Sequence, residues 1–202
     1  FPADPGKGLS AAINSGISSF PTRPEYCTWI GDDDSIIPGE YARMIESMQP
    51  NNPFAVGYCN YVNANGTHLF TQKLGAKFPF LLVVLPDLIP QPATVFRTES
   101  FLRVGGLAES LSFAFDYDLW IRLSQMGPPY RHPFAVATYR WHTDALSVSS
   151  RGSAANEASQ VRMSHRPLWM NLSLMPWELF VQAVTRFMGP VVSFFSGIGR
   201  RI

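Results

Sequence analysis

The apolar positions of this chain fall into short blocks of two periods. Tyr26 to Ile30, Phe54 to Val62, Ala93 to Arg97 and Phe134 to Trp141 are apolar, β-prone runs of strand length. Asn65-Gly66 is a hairpin signal between the second run and a partner at Thr67 to Thr71. Helical spacing separates the runs. Glu40 to Met48, opened by Pro38-Gly39, puts Tyr41, Met44, Ile45 and Met48 on one face. Asp116 to Gln125 turns Leu119, Trp120 and Leu123 inward, and Thr98 to Val104 is a short helix stopped by Gly105-Gly106. Lys7 to Ser19 reads as a loop entering a small-residue helix. Phe78 to Gln91, broken by Pro79, Pro86 and Pro90, reads as helix and loop. Strands alternating with helices predict an α/β fold.

Beyond the last strand the pattern changes. Ser147 to Ser153 reads as a polar loop, and Ala154 to His165 and Trp177 to Phe195 as helices punctuated by Pro167, Pro176 and Pro190. We therefore expect an α/β domain over 1–150 and a helical, apolar appendage over 151–202, packed on the domain or lying along a membrane interface. The uncharged run Phe187 to Gly199 is too short, and too interrupted by glycine and proline, to cross a bilayer.

Composition narrows the function classes. The 202 residues are 46% hydrophobic, enough for a core, and 15% charged, against roughly 25% for an average soluble domain. A net charge of +1 supplies no field for nucleic acid. Cys27 and Cys59 lie in strand-like runs and read as reduced core thiols, which suits a cytoplasmic setting. The first residue is Phe1, which leads us to expect a piece of a longer protein.

Two acidic groups stand out. Asp32-Asp33-Asp34 ends an apolar strand, where α/β folds present ligand groups, and its mutual repulsion is relieved either by a divalent cation or by solvation as a helix-capping turn. Asp116-Tyr117-Asp118 opens a helix, as an N-terminal charge or as a general base beside a cleft. His142 ends a strand after Arg140 and reads as a ligand or as a structural hydrogen-bonding group. Lys7-Gly8 could approach a phosphate.

Taken in order, five blocks resemble the family 2 glycosyltransferases of the GT-A fold. They are Lys7 to Gly16, with its Ala-x-Asn-x-Gly core; Thr28 to Gly39, with a DxD-like triplet and a Pro-Gly turn; Gln91 to Arg97, continuing to Val104-Gly105-Gly106-Leu107; Ala114 to Leu123; and Arg140-Trp141-His142. The resemblance implies a Rossmann-like mixed sheet flanked by helices. Its first nucleotide-binding strands, with their Pro-x-Tyr/Phe-Asn-like motif, are expected upstream of Phe1.

It also implies transfer of a sugar, with inversion, from a nucleotide-diphospho-sugar to a glycan or lipid-linked acceptor, at the cytoplasmic face of a membrane. Under it Asp116 is the base. Asp34, Asp32 and His142 hold Mg²⁺ or Mn²⁺, with Asp34 the first choice. Lys7, Asn14, Asp32, Asp33 and Arg140 serve the donor, and Gly105, Gly106 and Asp118 the acceptor side. A metal-dependent nucleotidyltransferase and an inactive, truncated sugar- or partner-binding domain are the alternatives.

Overall fold

The computed structural model describes residues 6–73, 79–141 and 151–184. In chain order these form α1 (Leu9–Ser18), β1 (Tyr26–Cys27), β2 (Ser35–Ile36), α2 (Pro38–Glu46), β3 (Phe54–Asn63), β4 (His68–Gln72), β5 (Thr94–Arg97), α3 (Thr98–Arg103), α4 (Phe115–Ser124), β6 (Tyr130–Trp141), α5 (Arg151–Ser164) and α6 (Leu168–Ser173). A further helical stretch, α7, runs over 175–184. Two 3-10 turns, Pro79–Val83 and Gln91–Ala93, precede β5.

The six strands make one mixed sheet in the order β1-β5-β3-β6-β2, with β4 added to β3. Only the β3–β6 pair is parallel, so these two strands form the spine and the rest pack against it antiparallel. The period-2 alternation of β3 divides the core. Phe54 and Val56 face a cluster with Phe96, Phe101, Leu119, Trp120 and Leu123, while Ala55 and Cys59 face Tyr41 and Met44 of α2 and Met48 just beyond it. Helices therefore cover both faces of the sheet.

Several boundaries depart from the sequence reading. The first run pairs only at Tyr26–Cys27, because beyond it the backbone turns away: Thr28 Oγ1 donates to the Thr94 carbonyl at 2.8 Å and Gln91 Nε2 to the Trp29 carbonyl at 2.7 Å. Strand β2, between the acidic turn and the helix-opening Pro38-Gly39, pairs with Thr138 and Ala137 of β6. Strand β6 begins four residues before Phe134, with Pro133 inside a register shift against β3 where its missing N–H breaks no ladder bond. The described part of the Phe78 to Gln91 stretch, 79–91, has 3-10 turns and no α-helix, and Arg151–Ser153 belong to α5 and not to the predicted polar loop. Ser147 to Ser150 and the run Phe187 to Gly199 lie outside the described residues.

The stop after α3 is as expected. Gly105 and Gly106 both take positive φ, 87° and 73°, and Gly105 N–H donates to Leu102 O and Gly106 N–H to Phe101 O, which closes a Schellman motif.

Candidate functional site

The acidic turn is built by its neighbours. Asp34 Oδ1 accepts the Arg140 backbone N–H at 3.0 Å, tying the turn to the end of β6. The Arg140 guanidinium donates to the Asp33 carbonyl at 3.4 Å and to the Ala64 carbonyl at 3.0 Å, bracing the turn against the β3–β4 hairpin. Asp32 is exposed, while Asp33 and Asp34 are half-buried. A methyl group on Gly31 would meet Asp33 Oδ1 at 3.0 Å and Asp34 Oδ2 at 3.2 Å. Two carboxylate oxygens thus converge over a residue that has no side chain. That is a hard-oxygen donor set of the kind Mg²⁺ accepts together with substrate phosphates and water. No group of three or more His, Cys, Asp or Glu side chains suited to a metal occurs among the described residues, and His142 lies outside them.

Asp116 occupies the first turn of α4. Its Oδ1 accepts the Tyr117 N–H at 2.8 Å, yet burial dominates and lifts its pKa to about 6, with the nearby Glu157 adding to the rise. Glu157, from α5, accepts from the Ser112, Phe113 and Ala114 amides at 2.9, 2.5 and 2.7 Å and so fixes the loop that leads into α4. Asp87 is also held well above the ordinary carboxylate range, by burial first and by Asp116 second. Both carboxyls are half-buried, and the desolvation opposes their ionisation.

The two acidic segments share one region. The Trp29 ring, just before the triplet, lies 6.3 Å from Phe115 and stacks on Trp120 at 6.0 Å. Tyr61 of β3 feels both Asp87 and Asp34; burial, with these and other neighbouring groups, raises its pKa. Asp34 and Asp87 both act on Tyr61, and Asp87 and Asp116 act on each other.

The other candidates have different surroundings. Asp118 receives Arg122 Nε at 2.8 Å and Arg122 Nη2 at 2.6 Å, and pairs with His165 Nε2 at 2.8 Å. Burial opposes its ionisation, but these hydrogen bonds outweigh burial and hold it below the usual range. Arg122 Nη1 in turn donates to the Val104 and Gly106 carbonyls at 2.8 and 2.7 Å, which fastens the Gly105-Gly106 turn to α4. Asn14 closes the same turn from α1. It donates to the Leu107 carbonyl and accepts the Leu107 N–H, both at 2.9 Å, and its Nδ2 also reaches Glu109 at 3.2 Å. Both ends of that amide are hydrogen-bonded within the protein, so Asn14 clamps the turn. Lys7 is exposed in the loop ahead of α1. A shallow depression between α1 and α3, lined by Ile17, Phe20, Arg23 and Leu102 among others, contains none of the acidic residues.

Asp87 and Glu157 were not singled out in the sequence. Asp87 sits in a proline-broken apolar stretch, and Glu157 on a helix whose partner is 43 residues away in the chain; neither has a local signature.

No protein family's sequence profile matches the chain. Distant relatives do. A Rickettsia typhi protein named an uncharacterized glycosyltransferase is 22% identical over 201 residues, covering 95% of this chain and 61% of its own length. A Rickettsia bellii protein of the same description is 27% identical over 162 residues, 74% of this chain and 22% of that protein. One from Haemophilus influenzae is 23% identical over 164 residues, 77% of this chain and 55% of its own. The chain thus spans less than two thirds of each of these relatives.

Proposed function

We propose that this chain carries the catalytic portion of a glycosyltransferase that moves a sugar from a nucleotide-diphospho-sugar to a glycan or lipid-linked acceptor. Relatives bearing the general name over most of the chain support glycosyl transfer. The observation that carries the finer reading is Asp116, a half-buried carboxylate with a pKa of about 6, next to Phe115, whose ring lies 6.3 Å from that of Trp29 just before the acidic turn.

In this reading the acceptor hydroxyl is hydrogen-bonded to Asp116. As its oxygen attacks the anomeric carbon from the face opposite the diphosphate, the proton passes to Asp116. The anomeric C–O bond to the diphosphate breaks, and the nucleoside diphosphate leaves with inversion at carbon. A pKa near 6 leaves Asp116 largely ionised at neutral pH and still basic enough to take the proton. Asp34, with Asp33 across Gly31, would hold Mg²⁺ or Mn²⁺, and Asp32 and Lys7 reach the donor from the exposed rim. The metal, when bound, neutralises charge on the departing diphosphate. Arg140 keeps the acidic turn in place, and Asp118 keeps the Gly105-Gly106 wall of the acceptor side in place.

The test is release of nucleoside diphosphate from a panel of nucleotide sugars, with and without Mn²⁺. Asp34→Ala is expected to abolish the metal-dependent part of donor binding, measured by calorimetry, and to lower turnover at least about 100-fold. Equal donor affinity in variant and parent, with and without the metal, would overturn the metal assignment.

The segment over 167–202 fits an anionic membrane surface. Leu168, Trp169, Leu172, Leu179 and Phe180 are all more than half exposed, and the segment's single acid, Glu178, is buried while Arg186, Arg200 and Arg201 add positive charge. No described helix is long and apolar enough to cross a membrane. Trp169→Glu with Phe180→Glu is expected to reduce sedimentation with anionic vesicles by roughly tenfold or more. Unchanged sedimentation would remove the membrane assignment.

A further inference from the structure

The stretch 82–91 leaves the first 3-10 turn and runs without regular structure into the second. Carbonyls in such a segment need donors from elsewhere in the fold. Five of them find one on a distant side chain. Tyr117 Oη donates to Leu82 and, at 2.8 Å, to Leu85. Arg166 Nε donates to Val83, Trp177 Nε1 to Val84 at 2.8 Å, and Gln72 Nε2 to Leu88 at 2.6 Å. At its far end the strap reaches back, and Gln91 Nε2 donates to the Trp29 carbonyl at 2.7 Å. Leu82 and Ile89 are buried in the same cluster as Phe115 and Trp120, against which Trp29 packs.

One end of the strap is thus tied to the residue after Asp116, and the other to the segment that ends two residues later in the acidic turn. Its middle is held from the C-terminal part of the chain, by Arg166 of the α5–α6 link and Trp177 of α7. Both of these are fixed in turn. Arg166 Nη1 meets Glu178 Oε2 at 2.9 Å, beside the Arg162 Nη2–Glu178 Oε1 pair at 2.5 Å, and the Trp177 ring packs on Phe180 at 5.3 Å. We infer that the strap sets the spacing between Asp116 and the acidic turn, that Tyr117 and Gln91 are positioning residues at its two ends, and that the C-terminal helices belong to the site because they hold its middle. The strap's form comes from side chains of four other elements and not from local sequence, so a lost donor lets it shift without unfolding its neighbours.

The positioning role rests on the proposed transfer; the hold on the strap is read from the protein alone. The experiment is amide hydrogen exchange over 82–91 in the full chain, in Trp177→Phe and in Gln91→Met, alongside donor affinity by calorimetry and kcat and KM for release of nucleoside diphosphate. Trp177→Phe keeps an aromatic ring and loses the N–H that holds Val84, and Gln91→Met keeps the length and loses the amide that holds Trp29. Each is expected to speed exchange over 82–91 by about tenfold. Each is also expected to lower kcat by roughly tenfold or more, since a misplacement of about 1 Å can cost about 100-fold. Donor affinity should stay within about twofold, because Arg140 braces the acidic turn separately.

A merely structural role would lower Tm and leave kcat of the folded protein where it was. Faster exchange with kcat and KM unmoved would therefore overturn the positioning role. Unchanged exchange in Trp177→Phe would overturn the hold by the C-terminal helices. A parent that turns over no donor removes the transfer and the positioning role with it, and the exchange arm still decides whether those helices hold the strap.

Discussion

Asp116→Asn is expected to lower turnover by about 10²–10⁴-fold while leaving donor affinity within about twofold, because the amide keeps the shape and loses only the proton-accepting charge. The Tyr117 N–H still finds an oxygen acceptor in the variant, so α4 keeps its first turn. The same substitution is expected to stabilise the fold at neutral pH. The folded pKa of Asp116, about 6, stands above its unfolded value, so the unfolded chain releases the proton more readily. Below the unfolded value both states are protonated and the carboxyl costs nothing. As pH rises through the folded value the native state must hold a desolvated charge, at a cost on the order of 3 kcal/mol that is complete above that pH. Thermal melts of parent and variant should therefore coincide in acid and diverge in the variant's favour by pH 8. Retained turnover would remove Asp116 from the chemistry. A variant no more stable than the parent at pH 8 would show that Asp116 is not desolvated.

The largest loss of stability is expected from Glu178→Gln. Arg162 and Glu178 are each 2% exposed, and Arg166 shares the same carboxylate. Removing the one negative charge leaves two buried guanidinium groups without compensation, an effect of about 3–5 kcal/mol. For a chain of this size that lowers Tm by roughly 10 °C. The pH dependence has the opposite sign to that of Asp116. Burial opposes ionisation of Glu178, but Arg162, Ser159 and Arg166 outweigh it and hold its pKa below the ordinary glutamate value. Its stabilisation is therefore present above the unfolded pKa and disappears as pH falls through the folded one. Replacing all three together, Arg162→Met, Arg166→Met and Glu178→Met, should recover much of the loss, since an apolar trio needs no charge balance. If Glu178→Gln melts with the parent, the triad contributes nothing to holding α7 on α5.

The relation between sequence and fold is clearest where the interactions are local. The face of α2, the Asn65-Gly66 hairpin and the Gly105-Gly106 stop were all legible, because each depends on residues a few positions apart whose spacing or backbone freedom allows few alternatives. The two-residue strand β2 was not. Ser35 and Ile36 carry no apolar period and are extended only because Thr138 and Ala137 of β6 lie alongside. The start of β6 was missed for a related reason. Pro133 reads as a strand breaker in isolation, but the bulge against β3 absorbs it.

The candidate site divides in the same way. The amino-acid sequence by itself determined that the fold is α/β, that two acidic segments lie at the ends of apolar elements, and that the second of them opens a helix. Only the tertiary structure decided that Asp118 and Asn14 hydrogen-bond within the protein around the Gly105-Gly106 turn, that Asp33 and Asp34 oxygens both lie over Gly31, and that Asp87 and Glu157 interact electrostatically with Asp116. The reason is physical. A carboxylate's role depends on how much water it keeps and on which donors and charges surround it, and those neighbours come from segments tens of residues away.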